Sequence, residues 1–174
     1  MKRRADSAVR ARIEAARGYV FDLDGSLVLG DKVNNAVTAL PGAADLLRLL
    51  DERRIPWLVM TNGTVRTPAG ISVELAKAGL TVPAERIMTP ATIAAAYFTN
   101  RQLRSIIVLG VEGVWRPLEE AGLDVVLPAQ GGARADSADA IFIGWYRQIH
   151  MDEIEVACQA VWNGAGLYLS LIHI

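Results

Sequence analysis

Two periods of apolar and polar positions alternate along the chain. Short apolar runs bounded by turn residues read as buried strands. They are Gly18-Tyr19-Val20-Phe21, Ile55-Pro56-Trp57-Leu58-Val59-Met60, Arg86-Ile87-Met88-Thr89, Ser105 to Leu109, Asp124 to Leu127, Ala140 to Ile143 and Leu167 to Leu169. Between them the period lengthens. Pro41-Gly42 opens a segment with Ala43, Ala44, Leu46, Leu47, Leu49 and Leu50 apolar, while Asp45, Arg48, Asp51 and Glu52 supply an opposite face. That is an amphipathic helix. Thr67-Pro68 starts another, through about Ala78, with Gly79 as its stop. Pro90 to Asn100, Glu112 to Ala121 and Asp152 to Trp162 complete the helical set, and Leu27 to Val33 predicts a small hairpin around Gly30-Asp31. Gln130 to Ser137 reads as a mobile loop. Strands alternating with helices predict an α/β architecture with a largely parallel sheet and right-handed crossovers.

Composition changes this picture little. The chain has 174 residues, 52% hydrophobic and 21% charged, enough for a real core in one domain or two small ones. A net charge of −1 gives no footprint for nucleic acid or an anionic membrane, and neither partner is expected. The single cysteine, Cys158, excludes an internal disulfide and suits a reducing compartment, the cytoplasm. Its neighbours Val156, Ala157 and Ala160 predict a small core residue. No apolar run is long enough to span a bilayer. Residues 1–17 are basic and helix-prone without the apolar centre of a secretory signal, so a solvated leading helix is expected.

The first strand ends abruptly in Asp22-Leu23-Asp24-Gly25-Ser26. Carboxylates are too costly to bury unpaired, so the pair belongs at the carboxyl end of the strand, where open parallel sheets place ligands. A side-chain period of two puts Asp22 and Asp24 on one face, and their repulsion calls for a hard cation such as Mg²⁺. One carboxylate beside a metal and a phosphoryl group can act as nucleophile, and a second can exchange a proton with the leaving oxygen. Thr61-Asn62-Gly63 ends the neighbouring strand, where its hydroxyl and backbone N–H groups can bind phosphoryl oxygens.

Asp22-Leu23-Asp24-Gly25-Ser26 and Val59-Met60-Thr61-Asn62 resemble the first two motifs of the haloacid dehalogenase superfamily of phosphatases. Gly30-Asp31…Leu40-Pro41-Gly42-Ala43 and Val108-Leu109-Gly110-Val111-Glu112-Gly113…Leu118-Glu119-Glu120-Ala121-Gly122 look like its NagD-like, 4-nitrophenylphosphatase branch. The resemblance covers Gly18 to about Ser170. It implies a partial Rossmann-like core at 18–102 and an inserted α/β cap at 103–170, after the leading helix at 1–17. It implies Asp22 as the residue that becomes phosphorylated and Asp24 as acid and then base. Mg²⁺ would be held by the Asp22 carboxylate and the Asp24 backbone carbonyl. Thr61, with Asn62 and Gly63, would hold the transferring phosphoryl group. The substrate would be a small phosphorylated metabolite, selected by a cap that closes over the site; a homodimer through the cap of the full-length protein stays open.

Two departures from that family stand out. Gly144-Trp145-Tyr146 carries Tyr146 where relatives carry Asp. After Leu169 the family continues with Thr-Asn-x-Asp, whereas this chain reads Leu171-Ile172-His173-Ile174, so 171–174 is expected to be a non-native tail. The catalytic lysine and the later Gly-Asp…Asp metal motif are then expected beyond the chain. The nucleophile strand should become an apolar edge, and the fragment should be nearly inactive, because losing one electrostatic donor can cost about a hundredfold or more.

Other readings remain beside this one. A non-catalytic phosphate- or partner-binding remnant would keep the site without turnover, and a receiver-like domain would accept a phosphoryl group as a signal but has no use for Asp24 or a cap. Gly110-Val111-Glu112-Gly113 lacks the third glycine of a dinucleotide fingerprint, so close helix packing is expected there. His150, Asp152, Glu153 and Glu155 share no helix face well and predict a solvated helix start rather than a metal cluster. Trp57, Trp115, Trp145 and Trp162 are expected in core or cap packing, and Arg116 and Arg147 at the surface.

Overall fold

A computed structural model of the chain describes residues 7–30, 37–128 and 137–170. The leading helix α1 spans Ser7–Glu14 within the expected 1–17 segment, whose first six residues lie outside the described set. So do most of the loop expected at 130–137, the tail 171–174, and Asp31, Lys32 and Val33 of the expected hairpin.

The first unit is a parallel three-stranded sheet in the order β1-β4-β5, from Tyr19–Asp22, Trp57–Met60 and Ile87–Met88. Its crossovers are α2 (Ala43–Glu52) and α3 (Pro68–Lys77). In α2 a period of three to four brings Ala43, Leu47 and Leu50 inward, and the left-handed Gly42 (φ 85°) turns the chain into the helix. Pro68 opens α3, and the Thr67 side chain caps it by accepting from the Gly70 N–H. Both helices cover the sheet face that carries Tyr19, Phe21, Trp57, Val59 and Ile87. The opposite face leaves Val20 61% and Met60 42% exposed. Among the described residues β1 pairs only with β4, so the strand bearing Asp22 is an edge strand.

A hairpin leaves the end of β1, but not within 27–33. Strand β2 (Val28–Gly30) pairs antiparallel with β3 (Val37–Ala39), in register Gly30↔Val37. Gly30-Asp31 signalled a turn, yet the connection extends over 31–36. The three-residue return strand was too short to stand out in the apolar pattern.

The second unit is a parallel four-stranded sheet in the order β7-β6-β8-β9, from Asp124–Val126, Ser105–Leu109, Ala140–Ile143 and Gly166–Leu169. Helices α4 (Pro90–Asn100) and α5 (Glu112–Glu120) cover one face over Ile106, Val108, Ala140 and Phe142. Helix α6 (Met151–Trp162) covers Ile107, Leu109 and Ile141 on the other. Burial on both faces is why β6 is a continuous apolar run. By packing, the change from first to second core falls between Ile87 and Ala91, because α4 sends Ala91, Ala95 and Phe98 into the second core. The 102/103 division that the resemblance implies falls between α4 and β6 instead.

Cys158 is exposed, contrary to the core position expected of it. The inward face of α6 runs through Glu153, Ala157 and Ala160, and residue 158 lies about 100° round the helix from 157. Trp162 is likewise 86% exposed, whereas Trp57 is buried with its indole N–H on the Asp51 carboxylate at 2.9 Å.

Asp139 ties the start of β6 to β8. Its Oδ2 accepts from the backbone N–H groups of Arg104 at 2.7 Å and Ser105 at 2.9 Å, and these bonds hold its pKa below the ordinary carboxylate value. A depressed folded-state pKa contributes stability at pH above the unfolded value and loses it as pH falls through the folded one. Asp139→Asn is therefore expected to lower the urea midpoint at pH 7, with the gap to the parent closing as pH drops below the ordinary carboxylate range. A gap constant with pH would show that the carboxylate charge contributes nothing.

Candidate active site

The chain leaves β1 through a tight turn. The Leu23 carbonyl accepts from the N–H groups of Leu27 at 3.0 Å and Val28 at 3.2 Å, and Gly25 (φ +80°) donates to Val28 at 2.7 Å. Only a residue at ease with positive φ turns here without strain. Leu23 is buried while Asp22 and Asp24 on either side are exposed, the alternation expected of the motif.

Parallel pairing sets Asp22 opposite Met60, one residue before Thr61. Thr61 is 4% exposed; its N–H donates to the Met88 carbonyl at 3.0 Å, and its Oγ1 accepts from the Gly63 N–H at 3.0 Å. The Gly63 donor is thus engaged within the turn, and the Thr61 O–H is the group left to donate outward. Asp22, Thr61 and Asn62 line a cleft of about 490 Å³ with Val20, Met60 and Ile93 as apolar wall. Asp24 and Gly63 are not among its lining residues. Ser170, at the end of β9, also lines the cleft, and its Oγ is shut from solvent without a hydrogen-bond partner. A serine after a strand carried no signal in the sequence.

For a divalent cation the donor chemistry is right but sparse. Asp22 and Asp24 offer hard oxygen ligands, and Mg²⁺ commonly takes only one or two carboxylates, with waters completing its shell. Among the described residues no group of three or more His, Cys, Asp or Glu stands close enough to hold a metal.

Family model matching covers residues 19–124, more than half the chain, with the family described as haloacid dehalogenase-like hydrolase. The chain belongs to that family. Among relatives of these hydrolases, 5'-nucleotidase YutF of Bacillus subtilis is 29% identical over 150 residues, 86% of this chain and 53% of the relative. Protein PH1952 of Pyrococcus horikoshii OT3 superposes with a TM-score of 0.78 at 26% identity, over 89% of this chain and 58% of the other. A mutant of the thermostable p-nitrophenylphosphatase from Bacillus stearothermophilus gives 0.70 at 29% identity, over 88% and 55%. The chain spans about half the length of the relatives it matches.

Tyr146, after β8, has its partner on α6. Its hydroxyl donates to Glu153 Oε1 at 2.8 Å, while Glu153 Oε2 accepts from the His150 N–H at 2.8 Å. Glu153 is 3% exposed, the exception at a helix start where His150, Asp152 and Glu155 are solvated as their charges suggested. The His150 N–H at the α6 N-terminus and the Tyr146 phenol together satisfy the carboxylate. The same bond, with burial, raises the Tyr146 pKa. Tyr146→Phe leaves Glu153 a bond short, at an expected cost of about 1–3 kcal/mol, read from denaturant midpoints. A cost below about 0.5 kcal/mol would show that water replaces the phenol.

Arg116 is engaged by Glu112 at 3.5 Å and by Glu119, and Arg147 stacks on Trp145 at 5.3 Å. Among the described residues no helix is long and apolar enough to cross a membrane.

Proposed function

We propose that the protein to which this chain belongs hydrolyses small phosphate monoesters, with Asp22 as nucleophile and Asp24 as general acid and base. The observation that carries this reading is the convergence of Asp22, Thr61 and Asn62 on one cleft at the carboxyl ends of β1 and β4. A 5'-nucleotidase and a p-nitrophenylphosphatase among the relatives support the same reaction class. An Asp22 carboxylate oxygen attacks phosphorus, the ester P–O bond breaks, and Asp24 delivers its proton to the departing alkoxide. Asp24, now ionised, takes a proton from water, whose oxygen attacks the phosphoaspartate. The P–O bond to Asp22 breaks, releasing inorganic phosphate and restoring the carboxylate. The Thr61 hydroxyl, with Asn62 and Gly63 behind it, orients the phosphoryl oxygens. The Asp22 carboxylate and the Asp24 backbone carbonyl would hold Mg²⁺, which would supply counter-charge for the phosphoryl oxygens.

By this reading 18–102 is the first part of the catalytic core and 103–170 the cap, and the cleft between them takes the substrate of a cytoplasmic enzyme. The 174 residues alone form an incomplete site. Lys77, the one lysine among the described residues, pairs with Glu74 on α3 at 2.8 Å and is not among the cleft-lining residues. A non-catalytic phosphate-binding fragment is therefore the second reading for this chain taken alone.

The test compares 4-nitrophenyl phosphate hydrolysis with Mg²⁺ by this chain and by a chain of the relatives' length that contains it. The longer protein is expected to turn over, and the 174-residue chain to fall about a hundredfold or more below it. Equal rates would refute the incomplete-site reading, and an inert longer protein would refute the phosphatase reading.

A further inference from the structure

The second sheet bears on the Thr61–Gly63 turn through one glycine. In the first turn of α5, Gly113 and Val114 are neighbours in sequence but grip different parts of the molecule. Val114 is fully buried between Gly110 and Gly144, where an added Cβ would lie 2.6 Å and 2.4 Å from its side chain. That cradle locks α5 to the ends of β6 and β8, which Gly144 N–H on the Leu109 carbonyl at 2.9 Å also joins.

Gly113 instead meets the segment that follows β4. A Cβ at Gly113 would stand 2.5 Å from the Thr64 carbonyl oxygen and 2.7 Å from the Arg66 N and C atoms. All are backbone atoms, which cannot swing aside as a side chain can. The segment is held at both ends, by the Thr61 N–H on Met88 at 3.0 Å and by the Thr67 cap of α3 at 3.1 Å. Helix α5 therefore presses on the middle of a tethered span. One end of that span is the turn that lines the cleft beside Asp22.

We propose that Gly113 is a positioning residue: its missing side chain seats α5 on the Thr64–Arg66 backbone and thereby sets where Thr61, Asn62 and Gly63 stand relative to Asp22. The inference rests on the phosphate-binding reading of that turn. Glycine is required because no other residue lets two backbones approach this closely. Carbon contacts relax toward about 3.5–4 Å, so an added Cβ must open the seat by roughly 1 Å. Misplacement on that scale can cost about a hundredfold in a positioned site.

The experiment compares the parent, Gly113→Ala and Val114→Ala by backbone amide NMR, and titrates each with inorganic phosphate in the presence of Mg²⁺. Val114→Ala loosens the cradle in the second core without touching the Thr64–Arg66 backbone, and so controls for lost stability. Gly113→Ala is expected to shift the Thr61, Asn62 and Gly63 amides and weaken phosphate about tenfold to a hundredfold. Val114→Ala should keep phosphate affinity within about twofold of the parent. Unmoved turn amides in Gly113→Ala, or unchanged affinity in it when the parent binds phosphate, overturns the proposal. If the parent binds no phosphate, the phosphate reading fails, and the amide shifts still decide the seat. Should Gly113→Ala not fold, Gly63→Ala supplies the reciprocal: its added Cβ, 3.3 Å from Thr61 Oγ1, displaces the turn, and the proposal expects the Gly113 and Val114 amides to shift with it; silence there while the Thr61 amide moves overturns the proposal.

Discussion

Asp22→Asn is expected to abolish capture of beryllofluoride, a phosphoryl mimic that needs an anionic carboxylate, while leaving the fold intact. An amide carries no charge to ligate beryllium and cannot attack phosphorus. Asp22 is exposed at the end of an edge strand, so the near-isosteric change should move stability by no more than about 0.5 kcal/mol. Removing a covalent nucleophile costs on the order of 10⁶-fold in rate, so in the longer protein hydrolysis should fall to background. Fluorine NMR reads the bound adduct in this chain, and phosphate release reads the rate in the longer one. An adduct that survives in Asp22→Asn would move the nucleophile elsewhere. Asp24→Asn separates the roles: it should retain the adduct and lose turnover, because only proton transfer passes through it.

Phe98→Ala is expected to give the largest loss of stability. Phe98 is 1% exposed on α4 and meets Phe142 of β8 and Tyr168 of β9 edge to face, at ring-centroid separations of 5.8 Å and 5.0 Å. One side chain thus joins the connecting helix to two strands of the second sheet. Truncating a buried Phe costs about 3–5 kcal/mol through lost transfer energy and the cavity left behind. Against the roughly 5–15 kcal/mol that holds a domain folded, such a loss should expose the second sheet to exchange. Hydrogen exchange resolves the two cores: protection should fall at Ile106, Val108 and Phe142 before it falls at Val59 and Leu75. Loss confined to the first core would show that α4 belongs there.

Much of the architecture is legible because local and tertiary requirements agree. The uninterrupted apolar run from Ile106 to Leu109 belongs to a strand buried on both faces. The alternation of Leu23 between two acids is a strand end meeting solvent. Where the pattern misleads, a neighbour from elsewhere in the fold decides. Glu153 carries a charge yet is buried, because Tyr146 and the His150 N–H satisfy it. Cys158 sits among apolar neighbours yet is exposed, because the inward face of α6 passes through Ala157 and Ala160 instead. Strand β3 is three residues long, too short for periodicity to reveal.

The sequence by itself determined the α/β class, the family, and the placing of Asp22, Asp24 and Thr61 at strand ends. The class and the strand-end placing rest on short-range rules: side-chain period, turn chemistry and the cost of burying charge; the family rests on the resemblance of the Asp22–Ser26 and Val59–Asn62 motifs. Only the tertiary structure decided which of these residues share a cleft, that α4 packs with the second core, and that Gly113 bears on the turn beside Asp22. Each depends on contacts between segments far apart in the chain, and no local period encodes the distance across such a contact. Two carboxylates separated by one residue open the motif; a glycine some ninety positions later lies against the segment that leads from the Thr61–Gly63 turn.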